Sequence, residues 1–353
     1  MKKVDLKNFS ISQLTNFVRE LDFSPFRARQ IFSWLYRPGF NDFNQMTDLS
    51  KKAREALAER SFFSSLSPDK SEESSDGAVK FRFRLEDGLM IESVFIPEED
   101  RNTLCISSQA GCAMGCDFCL TGAMGFKRNL TPAEIVNQVL AVMKAACHDR
   151  HNSEEPARRS GCINNLVFMG MGEPLANFDN LVTAIDILMD QRGLDFSSRR
   201  ITVSTCGLVP KMIELGEKTS VNLAISLHSI RDEVRSRLMP VNRKYPVAVL
   251  LDACRQFPLP PRRMIMMEYI MIKDLNDSPA EAHELAEKLK DIRCKINLLP
   301  YNENPNLNYK RPSSETILRF QKILWDAGYS VFIRSSRGAD ISAACGQLAG
   351  DDQ

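Results

Sequence analysis

Three cysteines in one short segment constrain this chain more than any other feature. Cys112, Cys116 and Cys119 are spaced Cys-x3-Cys-x2-Cys within residues 111–119, a stretch that also contains glycine. Thiolates are soft ligands that suit iron–sulfur clusters and zinc. Three local thiols without a fourth ligand beside them indicate a [4Fe–4S] cluster with one iron open to a small molecule, and an open iron indicates catalysis.

A zinc site and three unrelated buried cysteines are the alternatives. A structural zinc ion needs a fourth Cys or His close to the other three. The nearest candidates are Cys105, upstream in a strand-like run, and Cys147 or His148, well downstream. This separation favours the cluster over zinc.

The residues around the cysteines narrow the choice further. An aromatic residue, Phe118, precedes the last cysteine, as in radical S-adenosylmethionine (SAM) enzymes. Cys-Ile-Ser-Ser-Gln at 105–109 and Gly-Phe-Lys-Arg-Asn-Leu at 125–130 resemble the adenine-methylating branch of those enzymes, the RlmN/Cfr family of RNA methyltransferases. The resemblance extends from the N-terminal helices to Cys345, nearly the whole chain.

Length and composition fit a globular α/β protein. The chain has 353 residues, enough for a single α/β barrel with an appendage, and it is 43% hydrophobic and 26% charged. Its apolar runs stay below the roughly 20 residues that span a bilayer. The initial Met-Lys-Lys-Val-Asp-Leu lacks the apolar segment of a signal peptide, and ten cysteines without such a signal indicate a reducing compartment. We therefore expect a cytoplasmic protein that does not associate with a membrane.

Net charge gives little indication of nucleic-acid binding, because the chain carries only +1 at pH 7. Phosphate contact needs a local cluster rather than a global excess of positive charge. Basic pairs occur at 127–128, 158–159, 199–200, 262–263 and 310–311. Such pairs are more typical of solvated surface, so RNA as a partner follows mostly from the resemblance.

Four regions are predicted along the chain. They are an N-terminal helical domain (1–66), a linker and β-hairpin (67–97), the radical SAM core (98–347) and a tail (348–353). Helix-start patterns at Ser10, Ser24-Pro25 and Ser50 support the first region, for which the resemblance implies RNA docking. Residues 67–77 are predicted to be a polar linker, and the chain after Gly346 is predicted to be disordered.

The predicted hairpin carries a carboxylate in an unusual place. Residues 79–86 alternate apolar and charged, and Asp-Gly at 87–88 is a strong signal for a two-residue turn. A turn of this kind sets Phe83 opposite Glu92 and places Glu92 on an apolar face, where a carboxylate is costly unless it is paired or neutral. With a bulge, Glu92 would merely be exposed. The resemblance implies that Glu92 is the general base.

From residue 103 onward, strand-like and helix-like segments alternate. The predicted strands are 103–107, 163–169, 201–205, 221–227, 264–272, 295–299 and 330–334. The predicted helices are 131–146, 178–191, 208–217, 246–257, 279–290 and 313–327. Repeated βα units predict a barrel or a doubly wound parallel sheet. The resemblance implies an α/β fold with a partial (β/α)6 TIM-like barrel, an N-terminal helical domain and a β-hairpin extension.

Glycine and polar residues follow successive predicted strands, where the chemistry of βα barrels collects. Gly172 and Glu173 lie in Gly-Met-Gly-Glu-Pro after the second strand, and a carboxylate there could receive the α-amino group of methionine. The candidates after later strands are Ser204, Ser226, Leu227, His228 and Asn302. Each alone is more typical of a turn or cap, and His228 could be a satisfied core imidazole. The resemblance implies that together they bind SAM.

Cys345 lies between small residues, which suits a loop that brings a thiol into a cavity but equally suits an inert cysteine. The resemblance implies that one SAM methylates Cys345 and that a second is cleaved with one electron from an external, flavodoxin-like reductant. The methyl carbon then adds to adenine, Glu92 removes the ring proton, and Cys105 attacks the Cys345 sulfur. Product release leaves a transient disulfide. The two sulfurs must therefore lie near each other.

The resemblance also implies the substrates. The carbon-2 branch of the family modifies an adenosine at the peptidyl-transferase centre of 23S rRNA and an anticodon-adjacent adenosine in tRNA. Residues 26–36 and Glu92 resemble that branch, whereas Leu-Thr-Gly-Ala at 120–123 leans toward the carbon-8 branch that confers ribosomal antibiotic resistance. Another kind of radical enzyme and a zinc-stabilised, non-catalytic RNA-binding protein are the alternatives from other classes. We expect a monomer.

Overall fold

A computed structural model describes residues 3–146, 162–303, 307–334 and 336–349. Its first part is a small helical unit bounded by two short parallel strands. The elements are β1 (Val4–Asp5), α1 (Ile11–Arg19), α2 (Pro25–Leu35), α3 (Lys51–Arg60) and β2 (Ser61–Phe62). Ser10 caps α1 through a capping box, and Ser50 caps α3. The three predicted helix starts are therefore confirmed.

The remaining chain builds one large sheet and the helices that cover it. The strands are β3 (Pro68–Glu73), β4 (Val79–Arg84), β5 (Met90–Pro97), β6 (Asn102–Cys105), β7 (Gln109–Gly111), β8 (Phe126–Asn129), β9 (Asn165–Phe168), β10 (Ile201–Thr205), β11 (Asn222–Ser226), β12 (Ile265–Met271), β13 (Cys294–Pro300) and β14 (Val331–Ile333). The helices are α4 (Leu120–Ala123), α5 (Pro132–Ala146), α6 (Phe178–Met189), α7 (Val209–Lys218), α8 (Asp232–Leu238), α9 (Val247–Gln256), α10 (Pro279–Lys288) and α11 (Ser314–Asp326). Short 3-10 turns lie at Leu6–Asn8, Phe43–Gln45, Pro174–Asn177, Ser198–Arg200, Pro240–Arg243 and Ala339–Ile341.

The ten-stranded sheet has the order β14-β13-β12-β11-β10-β9-β6-β5-β4-β3. Strands from β6 to β14 pair in parallel, and those from β3 to β6 pair antiparallel. Helices α5, α6, α7, α9, α10 and α11 each connect or follow parallel strands, as βα crossovers require. This arrangement confirms the predicted α/β class and the alternation of the core. Among the described residues, every helix is too short or too polar to span a bilayer.

The helical unit docks on α5 through buried polar contacts. Lys7 Nζ donates to Asn137 Oδ1 at 2.9 Å, and the amide of Ala133 donates to Asn8 Oδ1 at 3.0 Å. Burial lowers the pKa of Lys7 to about 8, partly opposed by Asp5. The helical unit is thus joined to the first crossover helix of the sheet.

The polar-linker prediction for residues 67–77 is wrong over its first half. β3 pairs antiparallel with β4 and forms one edge of the sheet. Its residues are mostly exposed and charged, as is common in edge strands, because charged side chains prevent unwanted pairing with other chains. The sequence lacks the apolar alternation of a half-buried strand, so periodicity did not reveal it.

The predicted hairpin register is wrong by one residue. Leu85 pairs with Leu89 across a three-residue loop, and Gly88 closes it in the left-handed conformation with φ +84°. Glu92 consequently lies opposite Arg82 rather than Phe83. A one-residue slip exchanges the faces of a strand, so the predicted apolar partner of Glu92 is replaced by a cation. Glu92 is nevertheless buried, at 4% exposure, because both faces of β5 are covered.

Disorder directly after Gly346 is also contradicted. We call residues 336–349 the closing segment, because it leaves β14 at one edge of the open sheet and crosses to β3–β5 on the other side. Leu348 is buried, and its carbonyl accepts from Thr121 Oγ1 at 2.6 Å. The amide of Ala349 donates to Glu92 Oε2 at 3.0 Å. Order in this stretch comes from long-range contacts that local composition does not reveal.

Candidate active site

A cavity of about 920 Å³ fills the space between the curved parallel sheet and the closing segment. Strands β6, β9, β10, β11, β12 and β13 all contribute side chains to its wall. The volume lies at the upper end of the range typical for ligand sites. Most of the predicted site residues line this one cavity.

The three-cysteine loop lies at one end of the cavity, between β7 and β8. These strands form their own antiparallel pair outside the large sheet. Gly111 begins the loop at φ +71°, and a Cβ there would lie 1.9 Å from the Gly125 carbonyl oxygen. Only glycine permits this close approach of two backbones. The loop was predicted directly after the first core strand, whereas the β7–β8 hairpin was not predicted.

The donor set of three thiols fits a [4Fe–4S] cluster with one open iron. Cys112, Cys116 and Cys119 line the cavity, and each is partly exposed. Burial raises the pKa of each thiol, that of Cys112 to about 11, and the neighbouring thiolates raise the pKa of Cys116 further. Binding to a metal would relieve this cost, because metal ligation deprotonates thiols.

Among the described residues, no three His, Cys, Asp or Glu side chains converge closely enough to hold one metal ion. A mononuclear zinc site requires such convergence, whereas a cluster spreads its thiolates over separate irons. Cys147 and His148, the downstream candidates for a fourth ligand, lie outside the described residues.

Gly172 and Glu173 follow β9 beside the cysteine loop. A Cβ on Gly172 would lie 2.4 Å from the Gln109 Cβ, so the tight packing of this turn requires glycine. Glu173 is buried, and its carboxylate accepts from the amides of Leu175 at 3.0 Å and Cys206 at 2.8 Å. Burial raises the pKa of Glu173, and these hydrogen bonds oppose the rise. The side chains of Cys206 and Thr205 also hydrogen-bond to this carboxylate. A carboxylate has about four acceptor positions, so an ammonium group would have to share these positions or displace one of the donors.

The other predicted cofactor residues are only partly brought together. Ser204, Ser226 and His228 line the cavity with Gly172 and Glu173. The Leu227 side chain is fully buried away from it, so only its backbone could contact a ligand. Asn302 is likewise outside the wall, and its Nδ2 donates to Ser336 Oγ at 2.7 Å.

His228 is held in a defined protonation state. It is buried, adopts the left-handed conformation at φ +60°, and packs edge-on against Phe118 with ring centroids 5.0 Å apart. Burial and the charge of Arg235 lower its pKa to about 3. Nδ1 accepts from the Ile270 amide at 3.0 Å, so the neutral ring carries its proton on Nε2. The imidazole is thus half satisfied by the backbone and presents one donor.

Cys105 and Cys345 line the same cavity as the cysteine loop, and both are free thiols. Cys105 is buried at the end of β6, whereas Cys345 is exposed to the solvent of the cavity from the closing segment. The Gly346 carbonyl accepts from the Leu120 amide at 2.8 Å, which fixes the segment against the cysteine loop.

The two thiols also influence each other electrostatically. The pKa of Cys105 is raised by burial and by the neighbouring Cys345 charge. Surrounding protein and the charges of Glu268 and Cys119 raise the pKa of Cys345 to about 11. Both thiols are therefore protonated at neutral pH in the metal-free protein.

Glu92 lies behind the closing segment rather than on the cavity wall. Lys80 Nζ is 3.8 Å from Glu92 Oε1 and also donates to the Ile341 carbonyl at 2.7 Å. One buried lysine therefore contacts both the predicted base and the segment that carries Cys345.

The opposite end of the cavity is strongly basic. Five arginines on its wall precede parallel strands or lie at their beginnings; they are Arg101, Arg199, Arg200, Arg262 and Arg263. We call them the arginine rim. The proximity of Arg199 contributes to lowering the pKa of Arg263, after burial. Two of the five basic pairs named above thus lie together at one opening, and the pair at 158–159 falls outside the described residues.

Sequence reasoning missed Arg235, Glu268 and Asn297. Arg235 is fully buried and donates to the carbonyls of Leu227, Cys206 and Ser226, which ties the ends of β10 and β11 together. In sequence it resembles any solvated arginine of a polar helix.

Glu268 and Asn297 lie inside β12 and β13. A polar residue within an otherwise apolar strand was the sequence feature that could have marked them as candidate site residues.

Comparisons with known proteins agree over nearly the whole chain. Residues 4–62 match the family described as the ribosomal RNA large subunit methyltransferase N-terminal domain. A dual-specificity RNA methyltransferase RlmN from Desulfotalea psychrophila is 58% identical, covering 99% of this chain and 96% of that protein. The RlmN of Geobacter sulfurreducens is 54% identical over 98% of this chain and 92% of that protein.

The fold agrees with a solved structure as well. A radical SAM methyltransferase from Sphaerobacter thermophilus is 42% identical, covers 99% of this chain and 100% of its own, and superposes with a TM-score of 0.88. Identity of this extent over full length identifies the family. This protein belongs to the RlmN family of dual-specificity RNA methyltransferases.

Proposed function

We propose that this protein methylates carbon 2 of an adenosine in 23S rRNA and of an anticodon-adjacent adenosine in tRNA. The observation that carries the proposal is the cavity that Cys105, Cys345 and the three cluster cysteines share. A carbon between two ring nitrogens of adenine is electrophilic, so ordinary attack on a sulfonium methyl group does not methylate it. An intermediate carrier thiol beside a radical source solves this difficulty.

Cys112, Cys116 and Cys119 would hold the cluster, and Glu173, Ser204, Ser226 and His228 would bind SAM beside it. The backbone of Leu227 and the amide of Asn302 would complete the SAM site, with Gly172 permitting close approach. When bound, the reduced cluster and SAM supply one-electron chemistry that generates an organic radical. We propose that two SAM molecules are used per turnover, one as methyl donor and one as radical source.

The chain's own groups perform the remaining steps. The Cys345 sulfur carries the methyl carbon and bonds to adenine through it. Glu92 accepts the proton from carbon 2 of the adduct, and Lys80 contacts the carboxylate that does so. The Cys105 thiol then loses its proton and its sulfur attacks the Cys345 sulfur. The sulfur–carbon bond breaks, its electron pair stays with the carbon attached to adenine, and that carbon takes up a proton to become the methyl group. A Cys105–Cys345 disulfide remains. Because Glu92 lies behind the closing segment, proton transfer from the adduct to Glu92 requires the closing segment to shift.

The arginine rim supports RNA as the substrate. Phosphates of a polyanion would neutralise Arg199 and Arg263, which otherwise repel each other. Arg101 is already paired with Glu98. The target adenine must be unstacked to reach the cavity, so the RNA site is a loop or a locally opened helix. We further propose a cytoplasmic monomer that receives electrons from a flavodoxin-like protein.

The test is methylation by anaerobically reconstituted, full-length protein supplied with SAM, reductant and either a 23S rRNA fragment or tRNA. Mass spectrometry of the digested nucleosides should detect 2-methyladenosine. The variant Cys345→Ser should form none, whereas Cys254→Ser, a buried cysteine of α9, should retain activity. Detection of 8-methyladenosine would show that the protein has the carbon-8 activity instead. Iron-loaded protein that methylates neither RNA would refute the proposal.

A further inference from the structure

Glu268 and Asn297 form a hydrogen-bonded pair on the cavity wall that no step above uses. They are register partners on the neighbouring strands β12 and β13, and both line the cavity. Asn297 Nδ2 donates to Glu268 Oε1 at 2.8 Å. Both side chains are almost fully buried, at 5% and 7% exposure. A polar pair inside two apolar strands is costly to fold, which favours a role in binding.

The pair orients one hydrogen-bond acceptor that has no protein partner. Because a carboxylate oxygen accepts hydrogen bonds, Glu268 fixes the amide of Asn297 with Nδ2 toward itself. Asn297 Oδ1 is buried and has no partner among the residues that the structure describes. Buried acceptors are nearly always paired. An amide held in this way therefore presents a free acceptor and the second Nδ2 hydrogen side by side.

The pair lies between the two ends of the cavity. Glu268 is level with Ser226 on the neighbouring strand, and its charge contributes to the raised pKa of Cys345. Lys295 precedes Asn297 by two positions on β13, on the same face and toward the arginine rim. A nucleotide that entered past the rim would thus place its base beside Asn297 and its reacting edge toward Cys345.

We propose that Asn297 binds the adenine of the target nucleotide, with Oδ1 accepting from the 6-amino group and Nδ2 donating to the adjacent ring nitrogen, and that Glu268 is the positioning residue. This inference rests on the proposed function. Adenine presents an amino donor beside a ring-nitrogen acceptor, and a side-chain amide matches this pattern with two hydrogen bonds. Guanine and uracil present a carbonyl at the corresponding place, which Oδ1 repels. SAM also carries adenine, so the experiment has to distinguish the two sources.

The experiment compares two RNA fragments that differ only at the target, adenosine or purine riboside, the latter without the 6-amino group. Wild-type holoenzyme should favour adenosine roughly 10- to 100-fold in kcat/KM. Asn297→Ala should lose this preference, with adenosine falling to the level of purine riboside. Glu268→Gln, which still carries an acceptor oxygen, should keep the preference, whereas Glu268→Ala should weaken it. Asn222→Ala, another amide of the cavity wall, should leave it unchanged.

A second measurement separates RNA adenine from cofactor adenine. RNA-independent cleavage of SAM to 5′-deoxyadenosine should proceed in Asn297→Ala at the wild-type rate. Slower cleavage with an unchanged adenosine preference would assign the pair to SAM and overturn the proposal. Equal use of both RNAs by the wild type would also overturn it, although methylation of adenosine would still support the proposed function. Asn297→Ser repeats the comparison if Asn297→Ala loses its iron.

Discussion

The carboxyl and amino ends of the parallel strands line the two ends of one cavity with different chemistry. After the strands lie the three-cysteine loop, Glu173 and the neutral His228, all buried or partly buried. Before the strands lie the arginines of the rim. Parallel strands place everything that follows them at one edge and everything that precedes them at the other. One sheet can therefore hold the proposed site of one-electron chemistry at one edge and the proposed polyanion-binding surface at the other.

Loss of a cluster ligand should reduce methylation more than any other change below. The loss should be confined to the end of the cavity that holds the three-cysteine loop, which we call the cysteine end. Cys116→Ala removes one of the three thiolates of the loop and leaves the proposed cluster with two, so we expect loss of iron and loss of methylation below detection. Iron content and absorbance at roughly 400 nm after anaerobic reconstitution measure the loss of the cluster. RNA affinity should stay within about twofold, because rim phosphate contacts are electrostatic and independent of the cluster. A comparable loss of RNA binding would contradict the separation of the two ends.

Removal of the buried guanidinium should have the next largest effect. Arg235→Met leaves the carbonyls of Cys206, Ser226 and Leu227 without their donor. We expect the free energy of unfolding to fall by about 3 kcal/mol, since unpaired buried polar groups are costly. Urea denaturation measures the change. Arg237→Met on the exposed face of the same helix is the control, and equal losses in both variants would show that the buried network contributes nothing.

The arginine rim should control RNA affinity without affecting cluster chemistry. Replacing Arg199 and Arg262 together with Gln should weaken RNA binding about tenfold and reduce the slope of log Kd against log salt by one to two, roughly one per phosphate contact. Binding titrations at several salt concentrations measure both. Iron content and RNA-independent SAM cleavage should not change. Arg319→Gln, on the exposed face of α11, should leave the slope as it is, and a reduced slope in this control would assign the effect to net charge alone.

The smallest expected perturbation concerns thiol reactivity at the cysteine end. Although Cys345 is open to the cavity, desolvation by the surrounding protein and the Glu268 and Cys119 charges disfavour its thiolate, so its pKa is raised to about 11, against about 8.5 for an ordinary thiol. In metal-free protein, alkylation of Cys345 by iodoacetamide should therefore rise about tenfold per pH unit between about 7 and 10, because the thiolate is the nucleophile. Peptide mass spectrometry measures it. The urea-unfolded protein should reach half its maximal rate near pH 8.5, and an identical profile in the folded protein would show an ordinary thiol.

Much of the fold was predictable because its signals are local. The alternating strands and helices of the core, and the helix starts at Ser10, Ser24 and Ser50, follow from periodicity and capping residues within a few positions of each element. The cysteine spacing predicted the cluster loop for the same reason, and that assignment stays a prediction. Predictions failed where distant contacts decide. Gly88 admitted a three-residue loop that shifted the hairpin register, and charged β3 became a strand because it pairs with β4.

The sequence by itself determined the set of soft ligands, the order of the βα units and, through the resemblance, the family. Only the tertiary structure decided that Glu92 is covered by Ala349 and Lys80, that the arginines meet at one opening, and that Asn297 on the cavity wall has a buried acceptor without a partner among the described residues. The physical reason is that ligand spacing and periodicity act within one segment, whereas burial, pairing and charge depend on which segments the folded sheet brings together. Closure of the sheet by residues 336–349 is the clearest case. Hydrogen bonds join this segment to Asp76, Lys80 and Glu92, more than 250 positions earlier in the chain.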